Sequence, residues 1–150
     1  MNNNDIFFMK QALKCAKKAL LLDEVPIGAL IVKDGKIIAK GYNKSIKSTD
    51  TTAHAEIVAI RKACKKLDNY RLNDCTVYIT IEPCAMCTGA LIWARVKRIV
   101  FGAYDIKAGA CGSIFDIPSE KKLNHKIEVS GGLLQEECAT IIREFFKNKR

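Results

Sequence analysis

Four residues of this sequence, His54, Glu56, Cys84 and Cys87, combine types and spacing that can do chemistry. Cys84 and Cys87 form a C-x-x-C pair directly after Pro83, at the start of a helical pattern. Unpaired backbone N–H groups and the helix dipole favour thiolates there. Residues at i and i+3 are neighbours on one face of a turn, so both sulfurs can converge on one ion. Alone, the pair is equally compatible with two buried thiols or with a redox dithiol. Neither accounts for His54, thirty positions before Cys84 at the start of the preceding helical pattern. In a right-handed strand-helix-strand-helix arrangement, successive helix N-termini open on one edge of the sheet, where His54 can meet the cysteines. One imidazole and two thiolates leave a fourth tetrahedral position for water, as expected of a catalytic rather than a structural Zn2+, one per chain. Glu56, two residues after His54, sits on the same turn but points elsewhere. A carboxylate beside a Lewis-acidic metal suits general acid–base catalysis, although a first-turn glutamate also complements the helix dipole.

These residues need a scaffold, and the hydrophobic pattern supplies one. Ile6, Met9, Leu13, Ala16 and Leu20 recur at spacings of three and four after a run of Asn and Asp that can cap a first helix. Ile27–Lys33 and Lys36–Tyr42 are β-rich runs joined by Asp34-Gly35, the sequence of a tight hairpin turn. Helical spacing returns from about Ala53 to Leu67, and Thr76–Ile81 is a strand. Pro83 stands where a first helical residue would be, with the helix running over Cys84–Arg95. Val96–Tyr104 is another strand, a glycine-containing loop passes through Gly109 and Gly112, Lys126–Val129 is a candidate fifth strand, and Leu133–Lys147 closes the chain as a helix. This order predicts an α/β fold, a three-layer α/β/α sandwich around a central mixed five-stranded sheet. Two covered sheet faces explain why Ala29-Leu-Ile-Val32 is apolar throughout.

Composition narrows the remaining choices. A chain of 150 residues predicts one domain over 1–150. With 49% hydrophobic and 27% charged residues it is neither a membrane bundle nor a disordered chain. Its apolar runs fall far short of a bilayer span, and its N-terminus lacks the features of a secretory signal, which points to the cytoplasm. There, seven cysteines, an odd number, are expected to be buried, catalytic or metal-bound rather than disulfide-paired. Cys15, Cys64, Cys75, Cys111 and Cys138 need no role beyond packing. A net charge of +9 suggests a polyanionic partner, against the plainer reading that lysine only solubilises the surface.

His54-Ala55-Glu56 followed by Pro83-Cys84-Ala85-Met86-Cys87 resembles the signature of the zinc nucleobase deaminases. The surrounding sequence is similar to one branch of the cytidine/deoxycytidylate deaminase superfamily, the bacterial tRNA-specific adenosine deaminases. The likeness runs through Glu24-Val-Pro-Ile-Gly28, Gly41-Tyr42-Asn43, Asn69-Tyr70-Arg71-Leu72, Thr80-Ile-Glu82, Phe101-Gly102-Ala103, Gly109-Ala-Cys-Gly-Ser113 and Phe145-Phe146, nearly the whole chain. The resemblance implies a cytidine-deaminase-like fold and a homodimer that hydrolyses adenosine to inosine at the wobble position of a tRNA anticodon stem-loop. It implies that His54, Cys84 and Cys87 hold zinc, that Glu56 shuttles protons, and that no redox or nucleotide cofactor is needed.

It further implies that Asn43 bonds the flipped nucleoside and that Pro26, Ile27 and Ala55 border the base. Asp105 and Lys107 align with the loop that meets RNA, where Tyr104 replaces a frequent arginine and Cys111 a commonly small residue. Phe145, with Phe146, Lys147, Lys149 and Arg150, supplies materials for stacking bases and neutralising phosphate, although at least one of the two rings is expected in the core and spacing does not decide which. The charge surplus is accordingly expected to act through the last helix and the Asp105 loop. Met86 and Trp93 read as core or dimer contacts. Two other functions stay open: a small-molecule deaminase of guanine, cytosine or a free nucleoside, and a noncatalytic RNA-binding module with structural zinc. The second needs a fourth protein ligand, for which His125 is the obvious leftover.

Overall fold

In the computed structural model, which describes residues 1–149, helix α1 (Asn3–Leu21) opens on a reciprocal cap. The Asn2 side chain accepts the Asp5 N–H and the Asp5 carboxylate accepts the Asn2 N–H. The hairpin follows as β1 (Gly28–Lys33) and β2 (Lys36–Tyr42), with φ of 52° at Asp34 and 74° at Gly35. Two positive φ values in succession match the twist of the paired strands, which is why Asp-Gly stands there. Helix α2 (Ala55–Leu67), strand β3 (Thr76–Ile81), helix α3 (Ala85–Trp93), strand β4 (Arg98–Ala103), strand β5 (Glu128–Ser130) and helix α4 (Gln135–Asn148) complete the order.

The five strands lie in the order β2-β1-β3-β4-β5. β1 is antiparallel to β2 and β3, whereas β3, β4 and β5 are mutually parallel. Ile31, Val77, Ile79, Ile99 and Phe101 pack with Ala55, Ala59, Ala63 and Leu91 of α2 and α3 on one face. Leu30, Tyr78 and Val100 pack with Met9, Ala12, Cys15 and Cys138 of α1 and α4 on the other. Successive residues of β1 thus enter opposite cores, as its unbroken apolar run requires. All seven cysteines are free thiols; Cys15, Cys75, Cys111 and Cys138 are buried and Cys64 is half-buried. No helix among the described residues is long and apolar enough to cross a membrane.

Several boundaries differ from expectation for local reasons. Pro83 is not helical: Cys84 is the N-cap of α3 and Ala85 its first residue, and the Pro83 carbonyl accepts the Ala110 N–H at 2.8 Å. β4 starts at Arg98 rather than Val96, because Arg95 turns at φ 63° and the Lys97 N–H is already bonded to the Cys75 carbonyl. β5 begins at Glu128, the partner of Arg98. Met86 and Trp93 are exposed, Trp93 by 83%, so neither belongs to this chain's core. The nine-residue α3 is apolar nearly all round and buries only its inner face.

A buried ionic cluster ties α1 to the sheet. Arg98 grips the Asp5 carboxylate with both terminal nitrogens, at 2.9 and 3.0 Å, and the Tyr78 hydroxyl donates to Asp5 at 2.7 Å. Burial raises the Asp5 pKa, but the bonds from Arg98 and Tyr78 overcome this and hold the carboxyl below its usual value.

Candidate active site

Because β1 opposes both of its neighbours, β2 and β3 run in the same direction, and so does β4. The helices leaving β2 and β3 therefore begin on one edge of the sheet. At that edge His54 is the N-cap of α2 (φ −70°, ψ 157°) and Cys84 the N-cap of α3 (φ −74°, ψ 177°). Neither side chain caps its own helix. They turn toward each other instead, with His54 Nδ1 3.6 Å from Cys84 Sγ and 3.5 Å from Cys87 Sγ. All three donor atoms lie within 4.8 Å of one another, and no other His, Cys, Asp or Glu among the described residues joins the group. A tetrahedral zinc with ordinary Zn–N and Zn–S lengths separates N and S donors by about 3.6 Å, so these donors fit Zn2+ without rearrangement. His125 is committed elsewhere, 2.7 Å from the Val96 carbonyl.

The Cys84 thiol is drawn down to about 4, chiefly by a hydrogen bond from Cys87 and also by His54, against an opposing effect of burial. Cys87, the donor in that pair, is pushed up. Glu56, only 3% exposed, lies with its carboxyl against the Cys87 thiol, and burial raises it to about 7. The site thus pairs a thiolate-forming metal donor with a carboxyl able to hold or release a proton.

Asn43 follows the last residue of β2, and its N–H donates to the Ile27 carbonyl at 3.1 Å. Its side chain is buried, and no hydrogen bond to its amide group is present among the described residues. Pro26 is buried beside half-buried Ile27. The Ala55 side chain is part of the core, and its carbonyl presses on Gly41, where a Cβ would lie 2.4 Å away. Glycine at 41 is what lets α2 sit close against β2, and the Lys44 N–H, next to Asn43, donates to the carbonyl of Ala53, next to His54, at 2.9 Å.

Two buried carboxylates, Glu24 and Glu82, to which the sequence alone assigns no role, hold the loops on either side. Glu24 accepts the N–H groups of Ile46 at 3.1 Å and Lys47 at 2.6 Å, fixing the segment between Asn43 and His54. Glu82 accepts those of Asp105 at 3.1 Å, Cys111 at 2.9 Å and Ser113 at 3.0 Å, and also the Ser113 hydroxyl. Burial raises its pKa, but these donors win and hold it below the usual carboxylate value. An acid directly before Pro83, at the end of an apolar strand, was the available signal.

Asp105 folds its own loop, accepting the Lys107 and Ala108 N–H groups at 3.0 and 3.1 Å, while Lys107 is exposed. These two residues share a groove of about 900 Å³ with Ile142, Arg143, Phe146 and Lys147. Phe145, expected at the RNA surface, is only 8% exposed and Phe146 is 46% exposed. Adjacent positions on a helix lie about 100° apart, so the phase that buries one ring turns the other outward. Arg150 lies outside the described residues.

Comparison with known proteins agrees with this geometry. Residues 2–103 match the family described as the cytidine and deoxycytidylate deaminase zinc-binding region. The tRNA-specific adenosine deaminase of Haemophilus influenzae is 49% identical over 143 residues, covering 95% of this chain and 83% of that protein. That of Bacillus subtilis is 44% identical over 146 residues, covering 97% and 91%. A solved structure from studies of A-to-I editing by tRNA:A34 deaminases at the wobble position of transfer RNA matches with a TM-score of 0.87 at 44% identity. It covers 90% of this chain and 98% of that one.

Proposed function

Because the chain belongs to the cytidine and deoxycytidylate deaminase family, we propose that it hydrolyses adenosine to inosine at the wobble position of a tRNA anticodon. The observation that carries the chemistry is the convergence of His54, Cys84 and Cys87, with buried Glu56 beside them. The likeness to tRNA-specific adenosine deaminases over 95% of the chain supports the substrate.

His54, Cys84 and Cys87 would hold Zn2+, which when bound supplies a Lewis acid that makes water acidic enough to lose a proton near neutral pH. Glu56 takes a proton from the attacking water and passes it to N1 of adenine as the oxygen bonds to C6; it then takes the proton of the new C6 hydroxyl and delivers it to the amino group, so that the C6–N bond breaks, ammonia leaves and the C6 carbonyl of inosine forms. Its burial keeps bulk water from competing for that proton. Asn43, with an amide free of intrachain bonds, orients the base, and Pro26, Ile27 and the backbone of Ala55 border it. Lys107 and Phe146 meet the RNA on the loop and helix that Asp105 and α4 shape. The protein acts as a single deaminase domain in the cytoplasm, and as a homodimer in which the exposed Met86 and Trp93 face of α3 is covered.

A noncatalytic zinc module has little support, since three donors leave a ligand short and His125 is bonded to the backbone. Assay of the purified protein on tRNA and on free adenosine, guanine and cytosine separates the other two readings. Inosine is expected in tRNA, with the free compounds poor substrates; turnover of the free compounds alone overturns the proposal.

A further inference from the structure

The positive charge of this protein is concentrated away from α4. Residues 10–67, from α1 through β2 to α2, hold 13 lysines and arginines against five acids, a surplus of eight out of the net +9. Two of those acids, Glu24 and Glu56, are buried. In α4, by contrast, Arg143 lies 3.5 Å from Glu136, and Lys149 just beyond it lies 2.6 Å from Asp23. The last helix therefore spends much of its charge inside the chain.

Three elements bring lysines together at the free edge of the sheet, where β2 has no further strand beside it. The Lys62 ammonium of α2 reaches 3.2 Å from the Lys40 carbonyl of β2. Lys44, just beyond Asn43, holds its ammonium 4.9 Å above the Tyr42 ring. Lys18 comes from the last turn of α1. The charges of Lys40, Lys18 and Lys62 all act on the same buried thiol, Cys15, and those of Lys44 and Lys18 lower the pKa of Lys62 after the larger effect of its own burial. None of the four has a carboxylate within ion-pair distance among the described residues. Lysine on an edge strand also deters pairing between chains, but that duty needs no ammonium from α1 or α2.

We propose that this edge is a second RNA contact, with Lys18, Lys40 and Lys62 binding phosphates of the same tRNA outside its reacting nucleotide and Lys44 linking them to the site. The inference rests on the reading that the substrate is tRNA. Unpaired ammonium groups clustered from separate elements release counterions when they meet phosphates, which gives affinity without sequence preference. A small catalytic mouth that reads one flipped base gains most of its grip from such a surface.

Fluorescence anisotropy with labelled tRNA over a series of NaCl concentrations tests this on the wild type and on K18Q/K40Q/K62Q. A control, K121Q/K122Q/K126Q, removes equal charge from the loop before β5. The edge variant is expected to weaken binding about ten- to a hundredfold and to flatten the log–log salt slope by about two to three, with the control shifting it by less than about one. K18R/K40R/K62R, which keeps the charge, should restore wild-type slope. Equal slopes for edge and control variants overturn this inference while tRNA deamination by the wild type still stands. Absence of tRNA deamination by the wild type overturns the underlying function as well.

Discussion

The carboxyl group of Glu82 occupies the space a side chain at Gly109 would need: a Cβ there would lie 2.3 Å from the Glu82 carboxyl carbon. Glu82 cannot swing away cheaply, since its oxygens gather the N–H groups of Asp105, Cys111 and Ser113. The Ala110 N–H is bonded to Pro83, one residue before Cys84. The loop that carries Lys107 is thus fastened to the chain entering the cysteine turn. Gly109→Ala is expected to cost about 1–3 kcal/mol in urea unfolding, as overpacking does, and to raise KM for tRNA more than it lowers kcat. Wild-type stability in this variant would show that the carboxylate is not locked in place.

Glu56 and His54 should separate cleanly under mutation. Glu56→Gln keeps size and helix position, so metal analysis should still find about one zinc per chain while inosine formation falls by about 10²–10⁴-fold. His54→Ala removes a donor and should lose zinc and activity together. Unchanged turnover in the first variant removes Glu56 from proton transfer, and full zinc occupancy in the second refutes the ligand set.

Asp5 gives the fold an acid-sensitive joint. Its folded pKa lies below the ordinary 3.8, so its ionised form is favoured by folding. The resulting stability is fully present above the unfolded value and is lost as pH falls through the folded one. Urea midpoints should therefore hold between pH 5 and 7 as far as this group is concerned, and fall below about pH 4. Arg98→Leu, which strands the carboxylate, should cost about 3 kcal/mol at neutral pH and show less further loss on acidification. A parallel acid profile in wild type and variant would exclude this cluster as the source.

Phe145 and Phe146 are neighbours with opposite duties. Phe145→Ala should lower stability by about 3 kcal/mol, the usual cost of emptying a buried aromatic position. Phe146→Ala should leave the melting temperature nearly unchanged and raise KM for tRNA, since a base stacked on an aromatic ring gains about 1–3 kcal/mol. Reversed effects would contradict the helix phase described above.

The predicted element order brings His54 toward Cys84 and Cys87, because helix N-termini after parallel strands share an edge whatever the loops do. The hairpin was equally legible, since Asp34-Gly35 permits little else. Glu24 and Glu82 stand in the sequence only as points of family likeness, because their backbone N–H partners lie 22–31 residues away, and such contacts leave no period that would show their role. The phase of α4 is fixed by docking, so its adjacent rings could not be told apart beforehand. The surplus over residues 10–67 can be counted in the sequence, but only the strand order, which makes β2 an edge, shows where lysines of α1 and α2, from opposite faces of the sheet, can approach one another.

His54 and Cys84 each occupy the position where Ser, Thr, Asp or Asn would close off a helix, and neither does so. A missing cap of this kind typically costs about 1 kcal/mol, so two helices begin at a disadvantage in the same few ångströms. Selection for thermal robustness alone would replace both residues. On the proposed ligand set, stability at these two helix starts is exchanged for reactivity, and stabilising the protein by consensus capping there is expected to disarm it.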